Sequence, residues 1–171
     1  RWHASNCVHH RDEVERLLDW VGLQRRQRER FPAQMVAVGF SRWKRPIARA
    51  FFAGSELKFQ GPRQPVPDGT GLVLWGRRPL PAGARGVAAE RLVRLEDGFL
   101  RSVGLGADLV RPLSWVMEQR GMYYDAGAPS ALEVLLSGTE FAAGDLTRAR
   151  ALRDRILALG LTKYNVGQHS W

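Results

Sequence analysis

"QMVAVGFSRWKRPIARAFFAGSELKFQ" (34–60) decides the fold. It opens on a short apolar run, 34–40, of strand length. "SRWKRPIARAFFAG" (41–54) reads as a helix, with Ser41 a candidate N-cap and Gly54 a candidate stop. Pro46 permits this only near the first turn, where a missing N–H costs no helical bond. "ELKFQ" (56–60) is a strand again. Strand, helix, strand is the unit of a parallel sheet, because a parallel return needs a crossover.

The pattern continues outward. "QGPRQPVPDGTG" (60–71) is a Pro/Gly loop, "LVLWG" (72–76) a third strand and "RLVRLE" (91–96) a fourth. Between them "PAGARGVAAE" (81–90) carries two glycines and makes at best a short, poor helix. "LSWVM" (113–117) and "MYYD" (122–125) are further strand candidates. "PSALEVLL" (129–136) begins a helix with a capping-box pair, Ser130 and Glu133. Residues 145–159 form the clearest helix, with Leu146, Ala149, Leu152, Ile156 and Leu159 on one face and Gly160 at its end. Upstream, 12–30 reads as a helix on the stripe Val14, Leu17, Leu18 and Val21, ended by Pro32. The alternation predicts an α/β fold: a Rossmann-like open parallel sheet with helices on both faces. The expected division is a mobile tail at 1–10, a leading helix at 11–32 and an α/β domain at 33–171.

A chain of 171 residues, 44% hydrophobic and 25% charged, suits one globular domain. One cysteine, Cys7, excludes an internal disulfide framework and favours a reducing compartment. No apolar run approaches the ~20 residues of a membrane span, and the start lacks a signal-peptide core. Beginning at Arg1 rather than Met, the chain is expected to be a piece of a longer protein. His3, Cys7, His9 and His10 have no second ligand cluster at a zinc-like spacing, so no metal is expected. The net charge is +9, and lysine occurs only at 44, 58 and 163. Such a field attracts anions, although it serves solubility equally well. The arginine bias adds weight to an anionic ligand, because the guanidinium fork grips carboxylate and phosphate bidentately.

In open parallel sheets, ligands bind outside the carboxyl ends of the strands. Three such ends are legible: Gly39-Phe40-Ser41-Arg42, Trp75-Gly76-Arg77-Arg78, and Glu96-Asp97-Gly98 running on to Arg101 and Ser102. A carboxylate there can act as general base on a hydroxyl, and neighbouring arginines can hold an acidic group. Trp75 is placed to face a ligand, whereas Trp115 belongs in the core. Equally, Asp97-Gly98 can be a plain turn, with Glu96 paired to Arg94 or Arg101; spacing alone does not separate the two readings. The "GLG" at 104–106 is no dinucleotide loop, since Leu109 stands where a third glycine is needed and Arg111-Pro112 prevents a helix.

"RLEDGFLRSVGLGADLVRPLS" (94–114), "RGMYYDAGAPSALEVLL" (120–136) and "LTKYNVG" (161–167) resemble, in that order, the capsule polysaccharide biosynthesis family of KpsC-type retaining β-Kdo transferases. "LLDWVGLQRRQRERFP" (17–32) and "GFSRWKRPIARAFF" (39–52) resemble the opening of its second catalytic module. The likeness spans residues 17–167. It implies one half of a GT-B-like glycosyltransferase that moves Kdo, an acidic sugar, from CMP-Kdo to a linker on a phosphatidylglycerol-type lipid. This half would recognise the acceptor; the donor-binding half, with its covalent aspartate, would follow in the same polypeptide. The isolated chain is then expected to be inactive. The resemblance also implies a cytoplasmic location peripheral to the inner membrane, an anionic glycolipid acceptor as partner, and no cofactor besides the donor. Carried over by position, Glu96 and Asp97 become catalytic, either one serving as base, with Gly98, Arg101 and Ser102 beside them. Ser41, Trp75 and Arg77 join them as acceptor-binding candidates from the neighbouring strand ends. Two rivals stand against this. A basic nucleic-acid-binding domain lacks a recognition-helix motif and interleaved aromatics here, so no nucleic acid is expected. The other is a non-catalytic scaffold in capsule assembly.

Overall fold

The computed structural model describes residues 29–166 without a break and, before them, residues 18, 21, 22, 25 and 26. Those few, with 29 and 30, are helical. The expected tail and its His/Cys group lie outside the described residues.

The elements are β1 (Gln34–Val38), α1 (Lys44–Phe51), β2 (Glu56–Gln60), β3 (Gly71–Trp75), β4 (Leu92–Asp97), β5 (Trp115–Glu118), α2 (Ala131–Gly138) and α3 (Ala143–Ala158). The sheet order is β2-β1-β3-β4-β5. The first four strands are mutually parallel, so the ends of β1, β3 and β4 share one edge. β1 and β3 are continuous apolar runs because both faces of the sheet are covered. One face buries Met35, Ala37, Val73, Val93 and Leu95 against Ile47, Ala48 and Phe52 of the α1 region. The other buries Val36, Val38, Leu72 and Leu74 beneath Ala84, Val66 and Val87.

Three expectations need correction. The fifth strand is antiparallel to β4, pairing Asp97 with Trp115 and Arg94 with Glu118. Residues 98–114 thus form a broad hairpin connection rather than a crossover. At its root Gly98 N donates to Ser114 O at 3.1 Å. A side chain at Gly98 would overlap that of Ser114 and lie 2.9 Å from its carbonyl oxygen. "MYYD" is a turn, not a strand, closed by Asp125 N donating to Met122 O at 2.8 Å. The second face of the sheet is also covered differently from the expected helix. Its lid comes from Val66 of the 61–70 loop, from Ala84 in the single 3-10 turn Ala82–Ala84 and from Val87, as the glycines of 81–90 suggest.

Local chemistry sets the helix ends. Ser41 does not cap α1 with its side chain; the N-cap position is Trp43, and Ser41 contributes its carbonyl to Lys44 N at 3.1 Å. Pro46 falls in the first turn, as its geometry requires. The capping box of α2 forms in full, Ser130 Oγ accepting from Glu133 N at 3.1 Å and Glu133 Oε2 accepting from Ser130 N at 2.7 Å. The Ser130 backbone N–H, then its hydroxyl, holds the Glu133 carboxyl below the usual range. The buried carboxylate of Glu118 accepts a further bond from Ala131 N at 3.0 Å, tying β5 to the same helix start. α3 ends in a Schellman turn, Gly160 adopting φ +59° while Leu161 N donates to Ile156 O at 3.0 Å. Its stripe residues Leu146, Leu152 and Leu159 are exposed.

Candidate active site at the carboxyl edge of the sheet

Successive side chains on a strand point to opposite faces, so Glu96 and Asp97 diverge. Asp97 shares a face with Val93 and Leu95; Glu96 shares the other with Arg94, whose Nη1 donates to the carbonyls of Gly76 and Arg78. Both oxygens of Glu96 are engaged. Oε1 accepts from Asp97 N at 2.9 Å and Oε2 from the Tyr124 hydroxyl at 3.1 Å. Gly76, with φ +60°, brings β3 close: a Cβ there would lie 3.3 Å from Glu96 Oε2 and 3.4 Å from Tyr124 Oη. Desolvation first, then the charge and hydrogen bond of Glu96, push the Tyr124 phenol above its ordinary value, so it stays a donor.

Asp97 is held from below. Its Oδ1 lies 2.8 Å from Arg101 Nε, off the N–H line, so the two meet as a contact ion pair rather than a directed hydrogen bond. The Arg101 side chain is 1% exposed and that of Asp97 18%. Arg101 Nη1 donates to Ser102 Oγ at 2.7 Å, and Ser102 Oγ donates to Gly104 O at 2.8 Å. The guanidinium also sits 5.9 Å from the Tyr164 ring centre. The backbone around it is stitched to the end of the described chain. Arg101 N donates to Lys163 O at 2.8 Å, Gly104 N to Tyr164 O at 2.7 Å, and Asn165 Nδ2 to Ser102 O at 3.0 Å. The segments "FLRSVG" and "TKYN", far apart in sequence, are one packed unit. The expected role of Arg101 and Ser102 as ligand grips is not what this geometry offers: both are buried, Arg101 against Asp97 and Ser102 against Arg101.

Trp75 presents no bare ring. It packs edge-on to Phe40 at 5.9 Å and Trp115 at 5.1 Å, and Lys44 Nζ sits 3.2 Å from its centre. Trp115 is core, as read from sequence, and stacks on Phe51 at 4.7 Å. The edge therefore offers an ammonium group beside the carboxylates. Burial lowers the Lys44 pKa below the ordinary 10.5, opposed by the negative charges of Asp97 and Glu96 and reinforced by Arg101 and Arg78. Lys44 and Tyr124 were not singled out in the sequence, because "WKRP" read as a helix start and "MYYD" as a strand. Of the remaining candidates, Ser41 is exposed and Arg77 pairs with Asp125 at 2.8 Å in an exposed bridge worth little. Arg78 lies against Gly39, whose φ of +81° and missing side chain make room for it.

The Lys44 shift has a signed consequence. The native lysine releases its proton at lower pH than the unfolded chain does, so between its native midpoint and 10.5 the unfolded state holds more protons. Stability should rise with pH across that window, and Lys44→Met should flatten the rise. Denaturant titrations from about pH 8 upward test this; equal slopes in both proteins would show that Lys44 is solvated normally.

Among the described residues no three His, Cys, Asp or Glu side chains cluster as metal ligands. No described helix is long and apolar enough to cross a membrane.

The family model described as capsule polysaccharide biosynthesis protein matches residues 70–162, which contain both carboxylates, Arg101 and Tyr124. The capsule polysaccharide modification protein LipA of Neisseria meningitidis serogroup A is 34% identical over 164 residues, 88% of this chain and 23% of that protein. The lipopolysaccharide-processing protein LpsZ of Rhizobium meliloti is 46% identical over 102 residues, 57% of this chain and 23% of that one. Among solved structures, the β Kdo 2,4 transferase of Thermosulfurimonas dismutans KpsC matches with TM-score 0.61 and 31% identity, over 81% of this chain and 45% of the other. The β Kdo 2,7 transferase of the same protein gives 0.55 and 26%, over 80% and 45%. The chain spans about a quarter of the curated relatives and under half of the solved chains. On the family match and the shared α/β fold, this chain belongs to the capsule polysaccharide biosynthesis protein family.

Proposed function

We propose that this chain is the acceptor-recognising half of a glycosyltransferase that moves Kdo from CMP-Kdo to an anionic glycolipid during capsule biosynthesis, at the cytoplasmic face of the membrane. The observation that carries the reading is the arrangement of Asp97 and Lys44 on the carboxyl edge. Asp97 has one oxygen committed to Arg101 and a second with no partner among the described residues. Lys44 is a half-buried cation whose surroundings include Asp97 and Glu96. In this assignment Lys44 holds an acidic group of the acceptor, and the free oxygen of Asp97 takes the proton of the attacking hydroxyl. Glu96 shapes the edge through Tyr124. Donor binding and the covalent step fall to a second half in the same polypeptide. Kinship with two Kdo transferases and a +9 charge that suits an acidic acceptor both support the reading.

The test is transfer itself. The complete polypeptide, given CMP-Kdo and a Kdo-terminated acceptor, should form a longer product, while residues 1–171 alone should form none. Turnover by the short chain would refute the division into halves. Preference for duplex DNA over the acceptor at physiological salt would favour the nucleic-acid rival.

A further inference from the structure

A second feature lies farther along the same sheet edge, past the Phe40 ring. There a cavity of about 330 Å³ opens between the ends of β1 and β2. Its lining includes Ala37, Phe40, Phe59, Gln60, Gln64 and, from the first turn of α1, Arg45. Each glutamine has one half of its amide engaged. Gln60 Nε2 donates to Gln64 O at 3.0 Å, and Gln64 Oε1 accepts from Gly61 N at 2.7 Å. Arg45 is not satisfied: its Nε is buried and has no hydrogen-bond partner among the described residues.

The surroundings of Arg45 add charge rather than remove it. Its guanidinium carbon lies 5.2 Å from the Phe59 ring centre, and that of Arg49 lies 4.9 Å from the same ring. The ion pairs among the described residues include neither arginine. A buried N–H without an acceptor is rare in folded proteins and asks for an explanation. Here two guanidinium groups share one aromatic ring that lines the cavity. An oxyanion would suit this place, because the planar guanidinium fork matches carboxylate and phosphate. Phe40 separates this place from the one already described, 6.0 Å from Phe59 on one side and 5.9 Å from Trp75 on the other.

We propose that the Arg45 cavity is a second subsite, separate from Glu96 and Asp97, that takes an oxyanion: a carboxylate or a phosphate group. Its attribution to the acceptor rests on the function proposed above, and makes that acceptor a molecule with two anionic groups, one at Lys44 and one at Arg45.

The Arg45 Nε–H resonance, followed by NMR in residues 1–171, tests the subsite directly. The probes are inorganic phosphate, glycerol phosphate and free Kdo, which separate a phosphate source from a sugar-acid source. At least one should shift that resonance saturably. Its affinity should fall tenfold or more in Arg45→Gln, the loss expected for a charge-assisted bond. Arg85→Gln, removing an exposed charge, should change it by less than about twofold. A resonance that stays still with all three probes overturns the proposal, as does equal affinity in Arg45→Gln. If that variant fails to fold, the wild-type titration decides alone. A saturable shift together with a complete polypeptide inactive toward Kdo-terminated acceptors would keep the subsite and retire its assignment to the acceptor.

Discussion

Replacing Arg101 with alanine should lower the melting temperature by roughly 6–12 °C. Arg101 is 1% exposed, so its charge is stable inside only because Asp97 faces it at 2.8 Å and Ser102 accepts from it at 2.7 Å. Breaking a buried pair by removing one partner costs about 3–5 kcal/mol. The lower end applies here, because Asp97 keeps 18% of its surface in water and can hydrate once released. For a domain of this size each kcal/mol moves the melting point by about 2–4 °C. Part of the loss is volume rather than charge, since the guanidinium also packs near Tyr164 and against Gly106. Arg101→Met, which keeps most of the bulk, should therefore fall between wild type and alanine. Thermal melts followed by circular dichroism measure all three. A loss below about 1 kcal/mol would mean that Arg101 behaves as a surface residue, and the picture of it as the support of Asp97 would fail.

That result would also explain why Arg101 looked like a ligand grip in the sequence. An arginine four residues after an aspartate, just beyond a strand, has the same spacing whether it faces a cleft or a core. What decides is the chain at 162–166, whose carbonyls at Lys163 and Tyr164 close over residues 101–104. No local pattern announces that contact. The parallel strands were legible for the opposite reason. Both their faces are buried, so β1 and β3 appear as unbroken apolar runs whatever their neighbours do. The direction of β5 was not legible, because "LSWVM" says that a strand is buried without saying which way it runs. The capping box at Ser130 was fully legible, since its bonds join residues three apart. The apolar stripe on α3 was legible too, yet it lies exposed among the described residues. Lys44 reached the site only through tertiary packing, which lays its ammonium over a tryptophan two strands away from β2.

In the complete polypeptide, Asp97→Asn should reduce kcat by about 10²–10⁴-fold, whereas Glu96→Gln should cost far less. The two residues are adjacent, and the sequence offers no reason to rank them. The geometry does. Glu96 accepts one hydrogen bond at each oxygen, from Asp97 N and from the Tyr124 hydroxyl, so a substrate proton there competes with bonds already made. A glutamine there keeps an acceptor for either partner. Asp97 spends one oxygen on Arg101 and leaves the second available, on the same face of the strand as Val93 and Leu95 and so toward α1. Asparagine in its place cannot accept a proton at all. It also strands the Arg101 charge, so Asp97→Asn will lose stability as well as rate. The two losses separate by measurement: kcat is read well below the melting point of the variant, and Arg101→Met serves as the control with weakened support but an intact carboxylate. If Asp97 is the base, Arg101→Met keeps most of its rate per folded molecule while Asp97→Asn does not. If Glu96→Gln is the more damaging substitution, or if Arg101→Met and Asp97→Asn fall together in strict proportion to their stability, Asp97 is not the proton acceptor.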